Sequence, residues 1–446
     1  MLNLFKEFLI RARLGQILRE FIMKNTILGL TLALASVPAM AVKLSDYKPF
    51  VFEPLFTNPV CATYNYDRPM ITENGKTVTA KPKNVYCKGS DEAASIARSN
   101  APQYRLKEWI SSPDTKELYL AYLSFSSKNI AKSLCDAASR GVKITMVLDA
   151  GEEKLPNKDA EALKSCGRAG LVEVNYRGSE GGLGYAHNKI MIVNPGLKVV
   201  KIVFSSGNMS SGTSTNHENW NFVTTSGDSY FAGAHKCVVE SMISGGHSTS
   251  TFKNALNGCR AKIKATPETD IRVYFSPVDG SEALAQVQKA GNAATDISAM
   301  SHRFSGDMAR TFQALLAKNK PIKFILDDDI YWSKKLGVDT GRNMVAESVK
   351  IYRDLIEKGM NTRFLQTNQT IFQLQHNKFI VFNFGSTGAV FNGAGNFTSA
   401  AFNQNFENFY YIEIPEVVAA YKKQYDLYFN QMASAPGDMP RDNVLP

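Results

Sequence analysis

The sequence predicts an α/β protein built from two duplicated sandwich halves, each with helices on both faces of a mixed sheet. Three observations predict it. The stretch AHNKIMIVN at 186–194 returns as QHNKFIVFN at 375–383, and other landmarks repeat at nearly the same step. His187 maps to His376, Asn194 to Asn383, Glu218 to Glu407 and Asn219 to Asn408, each 189 residues on, and Asn208 maps to Asn396 at 188. Upstream of each copy runs the same plan: an apolar strand, a phenylalanine (Phe125, Phe304), an amphipathic helix, then a strand closing in Leu-Asp at Asp149 and Asp327. Finally, the runs KITMVLD and IKFILD do not alternate, which suits strands covered by helices on both faces.

With 446 residues and 44% hydrophobic content the chain is too long for one core and shows no sign of disorder. The halves are expected at 42–264 and 265–446, divided in the polar KIKATPETD stretch at 262–270. RVYFSPVDGSEALAQVQKA then opens the second half as strand, turn and helix. The net charge of +10 points to an anionic partner: nucleic acid, phospholipid headgroups or an acidic surface. Charge alone does not choose among them.

Residues 1–41 read as a leader region. MKNTILGLTLALASVPAMA, from Met23 to Ala41, has a lysine, a short apolar stretch and small residues at Ala39 and Ala41, the pattern cut by signal peptidases. The apolar stretch is too short to span a bilayer. Met1 to Ile22, upstream of this leader, reads either as an over-extended start or as an amphipathic extension. The expected location is therefore secreted or periplasmic. Removing residues 1–41 takes five basic and two acidic residues, leaving a net charge of about +7. Six cysteines behind a leader read as disulfides of an oxidising compartment. Sequential pairing closes the shortest loops: Cys61–Cys87, Cys135–Cys166 and Cys237–Cys259. Their spacing is not that of a zinc site.

The repeated stretch carries the chemistry. Strand periodicity puts His187 and Lys189 on one face, and likewise His376 and Lys378. Asn194-Pro195-Gly196 is a turn, and VVKIVF at 199–204 returns as a second strand. The hairpin brings Asn208 back to His187 and carries Asn194 about 20 Å away. In the second copy Asn396 returns to His376. After each return comes a Ser/Thr-rich stretch expected to start a helix, then Glu218 or Glu407 before another apolar strand. Each half thus offers an imidazole, an ammonium, a carboxamide and a carboxylate, half of a site for a phosphate.

These paired motifs resemble those of the phospholipase D superfamily, His-x-Lys-x4-Asp followed by Gly-Ser-x-Asn and Glu, over about Tyr119 to Tyr410. VYFSPVDGSEALAQVQKA is also similar to that family's domain opening. The resemblance implies two α/β/α sandwich domains sharing one active site at a pseudo-twofold interface, and a two-step displacement through a phosphohistidine. One histidine is neutral and attacks phosphorus; the other is protonated and releases the alcohol, then activates water or an acceptor alcohol. By the resemblance His187 is the nucleophile and His376 the acid/base. Glu218 and Glu407 would fix the histidine tautomers, while Lys189, Lys378, Asn208 and Asn396 hold the non-bridging oxygens. The scheme calls for no metal and no cofactor.

Two departures matter. The motif's aspartate is asparagine in both copies, Asn194 and Asn383, which the hairpin puts far from the phosphate. The serine of Gly-Ser-x-Asn is present as Ser206, but the second copy reads Gly393-Ala394-Gly395-Asn396, so any role of that serine carries over to Ser206 alone. His217, His235, His247 and His302 lack a matched partner and read as structural. Asp327-Asp328-Asp329 and Glu152-Glu153 read equally as a rim of the cleft, with Tyr331 and Trp332 as a wall for a cationic headgroup, or as solvated loops.

The leading functional expectation is a phospholipase D-type phosphodiesterase acting on phospholipid headgroups, by hydrolysis or transfer, in contact with a membrane surface. The second is a metal-independent nuclease: GNFTSAAFNQNFEN resembles the corresponding stretch of the superfamily's small bacterial endonucleases. A non-catalytic phosphate-binding module is the third. A duplicated half-site within one chain predicts a monomer.

Overall fold

Strand β1 (Val51–Phe56) lies at the edge of a seven-stranded mixed sheet that also holds β2 (Glu117–Tyr122), β3 (Lys143–Asp149), β4 (Val172–Arg177), β5 (Lys189–Val193), β6 (Val199–Ser205) and β7 (Asn219–Ser226), in the order β1-β7-β6-β5-β2-β3-β4. The computed structural model describes residues 41–59, 63–64, 71–73, 76–78, 84–85, 92–151, 156–178, 184–245, 248–328, 343–367 and 373–438. The leader read at Met23–Ala41 lies outside these residues except for its last one, as do Cys61, Cys87, Glu152, Glu153, His247, Asp329, Tyr331 and Trp332.

The second sheet repeats the first. It runs β8-β14-β13-β12-β9-β10-β11-β15, from β8 (Ile271–Ser276), β9 (Asp296–Met300), β10 (Ile322–Asp327), β11 (Asn361–Leu365), β12 (Phe379–Asn383), β13 (Gly388–Gly393), β14 (Glu407–Ile412) and the edge strand β15 (Ala433–Ser434). In both sheets the central parallel strands, β2-β3-β4 and β9-β10-β11, continue into antiparallel hairpins, β5-β6 and β12-β13. The two sheets fall on either side of residues 264 and 265, while by contacts the chain from Lys43 onward is one compact unit.

Local sequence accounts for the elements. Six of the seven residues of β3 are buried, as expected for a non-alternating strand covered on both faces. Helix α1 (Lys128–Ser139) starts where the Ser127 hydroxyl accepts the Ile130 N–H, and α2 (Tyr230–Ser244) where Ser229 does the same for Ala232. Asn194 turns the first hairpin with φ of +59°, a backbone that asparagine tolerates. The Ser/Thr-rich stretches expected to open helices instead make one turn each, Ser211–Ser214 and Ser399–Asn403. Side-chain bonds consume their polar groups: Ser399 Oγ, for example, donates to Asp307.

Three apolar cores divide the labour. One packs α1 and the outer face of the first sheet; a second packs α4 (Gly280–Ala293) and α5 (Gly306–Ala317) against the second sheet. The third crosses between the halves, joining Ile190, Phe204 and Phe231 of the first to Phe379, Tyr410 and Tyr421 of the second. There the rings of Phe204 and Tyr410 stack with centroids 3.6 Å apart. Disulfides Cys135–Cys166 and Cys237–Cys259, both in the expected pairing, tie α1 to the turn after residue 163 and α2 to α3 (Thr249–Arg260). No helix of the described residues is long and apolar enough to cross a membrane.

Candidate active site

The strands that open with His187-x-Lys189 and His376-x-Lys378 meet across the join between the two sheets, each laced to the other half by backbone bonds. Phe406 N–H donates to Tyr185 O and His187 N–H to Phe406 O. The equivalent pair is His217 N–H to Leu374 O and His376 N–H to His217 O. Side chains repeat the exchange. Asn408 accepts from Lys189 N–H at 2.9 Å and Asn219 from Lys378 N–H at 3.0 Å. Asn405 accepts from Tyr185 N–H at 3.2 Å and Asn216 from Leu374 N–H at 2.9 Å.

The carboxylates are exchanged too. His187 Nδ1 lies 2.7 Å from Glu407 Oε2, and His376 Nδ1 lies 2.9 Å from both oxygens of Glu218. Each histidine is therefore oriented by the glutamate of the opposite half. Because an ionised carboxylate only accepts, Nδ1 carries the proton, and Nε2 of the neutral ring holds the lone pair. Within each half, a buried aspartate fixes the residue before the histidine: Asp149 accepts from Ala186 N–H and Asp327 from Gln375 N–H, both at 2.6 Å.

Burial governs the electrostatics. It lowers both histidines, His376 to about 4, against the pull of Glu218 and Glu407 and with help from Lys189 and Lys378. Each lysine's charge acts on the histidine of the other half, so the four groups share one site. Lys189 and Lys378 are fully buried and donate to the carbonyls of His187 and His376 at 2.9 Å. Lys189 Nζ also lies 3.2 Å from His187 Nε2. Burial drops Lys378 well below the ordinary lysine value, offset by Glu218. Burial alone would raise Glu218, but His376, Lys378 and the Ser206 hydroxyl bring it below its usual value.

Six of the eight residues expected at the site meet there through these bonds and charges: His187, Lys189, Glu218, His376, Lys378 and Glu407. Asn208 and Asn396 each have a buried carboxamide oxygen with no hydrogen-bond partner among the described residues. Both follow a glycine passing over the ring of the next strand: a Cβ on Gly207 would lie 2.7 Å from Trp220, and one on Gly395 2.2 Å from Phe409. Ser206 donates to Glu218 at 2.6 Å, whereas Ala394 offers Glu407 no hydroxyl; in both halves the asparagine two residues before the glutamate also donates to it, Asn216 at 3.4 Å and Asn405 at 3.1 Å. Among the described residues no group of His, Cys, Asp or Glu is arranged to hold a metal ion.

Asn194 and Asn383 sit at the far ends of their strands. Asn194 accepts from Lys116 and Glu117 N–H and donates to Asp114 O; Asn383 donates to Asp296. They are turn and register residues. The reading of Asp327 and Asp328 as rim or solvated-loop residues is corrected, because both are fully buried and engage Thr367; Asp329, Glu152 and Glu153, the rest of that reading, lie outside the described residues. His235 is structural, held between Phe231 O and the Tyr410 hydroxyl. His302 is not remote: its ring tilts against that of His376, centroids 5.3 Å apart.

The family described as cardiolipin synthase, PLD-like domain, matches residues 106–232 and 286–432, more than half of the chain. The chain belongs to this phospholipase D-like family. Its two sheets are the two PLD-like domains, and the phosphodiester chemistry of the superfamily accompanies them. The fold is similar to that of a phosphatidylserine synthase from Haemophilus influenzae Rd KW20, at 10% identity and a TM-score of 0.50, covering 76% of this chain and 87% of that one. Polyphosphate kinase from Porphyromonas gingivalis aligns at 15% identity with a TM-score of 0.47, over 74% of this chain; the chain spans 45% of that enzyme's length. Nuc, a phospholipase D family member from Salmonella typhimurium, aligns at 22% identity with a TM-score of 0.29, over 37% of this chain and 96% of its own. Comparison with the curated proteins finds no match.

Sequence reasoning passed over Asn216 and Asn405, although they stand in the matched strings NHEN and NFEN. Asp149 reads in the sequence only as a strand end, and Asp327 as a strand end that borders a rim or a solvated loop. His302 had no signal: its counterpart in the repeat is Leu123.

Proposed function

We propose that the chain is an exported phosphodiesterase that hydrolyses the headgroup bond of glycerophospholipids through a phosphohistidine. The observation that carries the reading is the exchange of carboxylates, Glu407 on His187 and Glu218 on His376, which aims two oriented imidazoles at one site flanked by two buried lysines. His187 Nε2 attacks phosphorus as the P–O bond breaks, and the leaving alcohol takes the proton of His376 Nε2. Water then attacks, the N–P bond breaks, and His376 receives the water's proton. Burial disfavours the charged form of His376 in the free protein, and the anionic phosphodiester restores it. Lys189, Lys378, Asn208 and Asn396 offset the charge that builds on the non-bridging oxygens.

The lipid substrate is supported by the family's description as cardiolipin synthase, and by the duplicated half-site in a single chain. Asp327 and Asp328, being buried, lend no support to a cationic-headgroup preference. Export is supported by the leader sequence and by two disulfides. The net charge of +10 favours the second reading, a nuclease.

The test incubates the protein, with EDTA, against phosphatidylcholine and phosphatidylglycerol vesicles and single- and double-stranded DNA. Headgroup release without nicking is expected. Nicking without headgroup release would replace the lipid reading, and phosphate binding without any turnover would leave a binding module. His187→Ala and His376→Ala should each abolish turnover, with a phospho-enzyme recovered from His376→Ala; its recovery from His187→Ala instead would reverse the roles.

A further inference from the structure

The large apolar side chains exposed among the described residues are Val51, Tyr104, Tyr185, Leu197, Val199 and Met432. Tyr185 stands two residues before His187. Leu197, by contrast, belongs to the far end of its hairpin, where its N–H donates to Asn194 O, and Val199 opens the returning strand there. Bridges at Tyr185 and Ala186 show an extended backbone. Period two then puts Tyr185 on the face of His187 and Lys189, its Cα roughly 7 Å along from that of His187, while Ala186 is buried in the core behind.

The backbone of Tyr185 is pinned to the second half. Its N–H donates to Asn405 at 3.2 Å and its carbonyl accepts from Phe406 N–H at 2.8 Å. Just before it, Gly184 runs so close that a Cβ there would lie 2.4 Å from the backbone of Gln404. The ring therefore cannot retreat, and it stays 46% exposed beside the join that holds the histidines. Its counterpart in the repeat, Leu374, has the same pair of bonds, to Asn216 and His217, and is half-buried. The triplets that lead into the exchanged residues, GYA at 184–186, STN at 214–216, QLQ at 373–375 and NQN at 403–405, carry no charge. The adjoining loop adds one cation, Arg303, whose guanidinium donates to His302 O at 2.9 Å. Surroundings this neutral lack the row of cations that tracks a polynucleotide backbone.

We propose that Tyr185 docks the protein on a lipid surface, its ring seated in the headgroup layer beside the phosphodiester that enters the site. The inference rests on the lipid reading above. A phospholipid presents its phosphodiester at the boundary between water and hydrocarbon, the layer in which a ring with an apolar body and a polar tip is most stable. A residue about two strand steps from His187 reaches that layer when the phosphate reaches the histidines. Leu197 and Val199, at the opposite end of the hairpin, do not.

The test compares headgroup release from mixed vesicles of phosphatidylcholine and phosphatidylglycerol with release from the dihexanoyl forms of the same lipids. The short-chain forms are kept below their micelle concentration, so they offer no surface. The quantity read is the ratio of the two rates in one preparation, which does not depend on how much of a variant folds. Tyr185→Ser should lower the ratio of vesicle to dissolved lipid about tenfold, the effect of keeping roughly half a ring's apolar area out of the lipid layer. Tyr185→Trp should preserve it, and Tyr185→Ser should sediment less with the vesicles than the unaltered protein does. An unmoved ratio in Tyr185→Ser with both lipid forms cleaved, or equal falls in Tyr185→Ser and Tyr185→Trp, overturns the docking role alone. Cleavage of single-stranded DNA in place of lipid, weakened by Tyr185→Ser, overturns both readings and makes the ring a platform for bases. If the unaltered protein releases no headgroup from either form, the lipid reading falls and the docking role with it.

Discussion

Replacing Glu407 by glutamine separates the exchanged carboxylates from a site in which each half serves itself. Glu407 Oε2 lies 2.7 Å from His187 Nδ1, and both side chains are buried. Glutamine keeps the shape but removes the charge, converting a charge-assisted bond into a neutral one. Such a bond is worth about 1.5–3 kcal/mol, so the ratio of protonated to neutral His187 should fall by a factor of about 10 to 100. Glutamine can also present its amide to Nδ1 and stabilise the wrong tautomer, so turnover should fall by at least about 100-fold. The assay is a pH titration followed in ring-nitrogen NMR spectra of labelled histidine; with 6 histidines in the chain the signals are assignable by single substitutions. Glu407→Gln should move His187 and leave His376 in place, and Glu218→Gln should do the opposite. If Glu407→Gln moves His376 instead, the exchange is wrong and with it the geometry of the site.

Other expectations concern pH and the asparagines. A site that needs one neutral and one protonated imidazole, both held below 6.5, loses its protonated member as pH rises; kcat/KM should peak below pH 6.5, and a maximum above pH 7 would contradict the lowered values. His217 and His235, each pushed down to about 4 by burial, bind fewer protons folded than unfolded between that value and 6.5. Stability is therefore complete above 6.5 and is lost as pH falls through this window, by about 2 kcal/mol per histidine at pH 5. Calorimetry should show a falling melting temperature from pH 7 to 5; a flat one refutes the effect. Asn194→Asp exchanges an amide donor facing Asp114 O for an oxygen, costing about 1 kcal/mol of stability while kcat stays within a few fold. A loss of kcat beyond tenfold would mean that Asn194 communicates with the phosphate after all.

Much of this protein is contained in local patterns. The duplication, the hairpins and the return of Asn208 and Asn396 to the histidines follow from period-two strands and turn residues, which short-range sterics decide. The same arithmetic located Asn194 and Asn383 at the far ends, where their bonds to Lys116 N–H and Asp296 now explain why asparagine serves there. The paired cysteines at 135–166 and 237–259 were likewise accessible, because the shortest loops close first.

Contacts between the halves were not accessible. Glu218 and Glu407 stand at the same offset from their own histidine, so the repeat is satisfied whether each carboxylate serves its own half or the other. Only the packing of Phe204 on Tyr410 and the bonds joining His217 to Leu374 and Phe406 to Tyr185 choose the second arrangement. Acidic residues told a similar story: Asp327 and Asp328 looked like surface charge until burial and Thr367 gave them internal partners. His302, unmatched in the repeat, acquires meaning from a ring 74 residues away in the chain. Periodicity acts through neighbours along the backbone and determines which faces and hairpins exist; which half completes which site is settled by apolar packing between segments some 200 residues apart, and no local pattern records that choice.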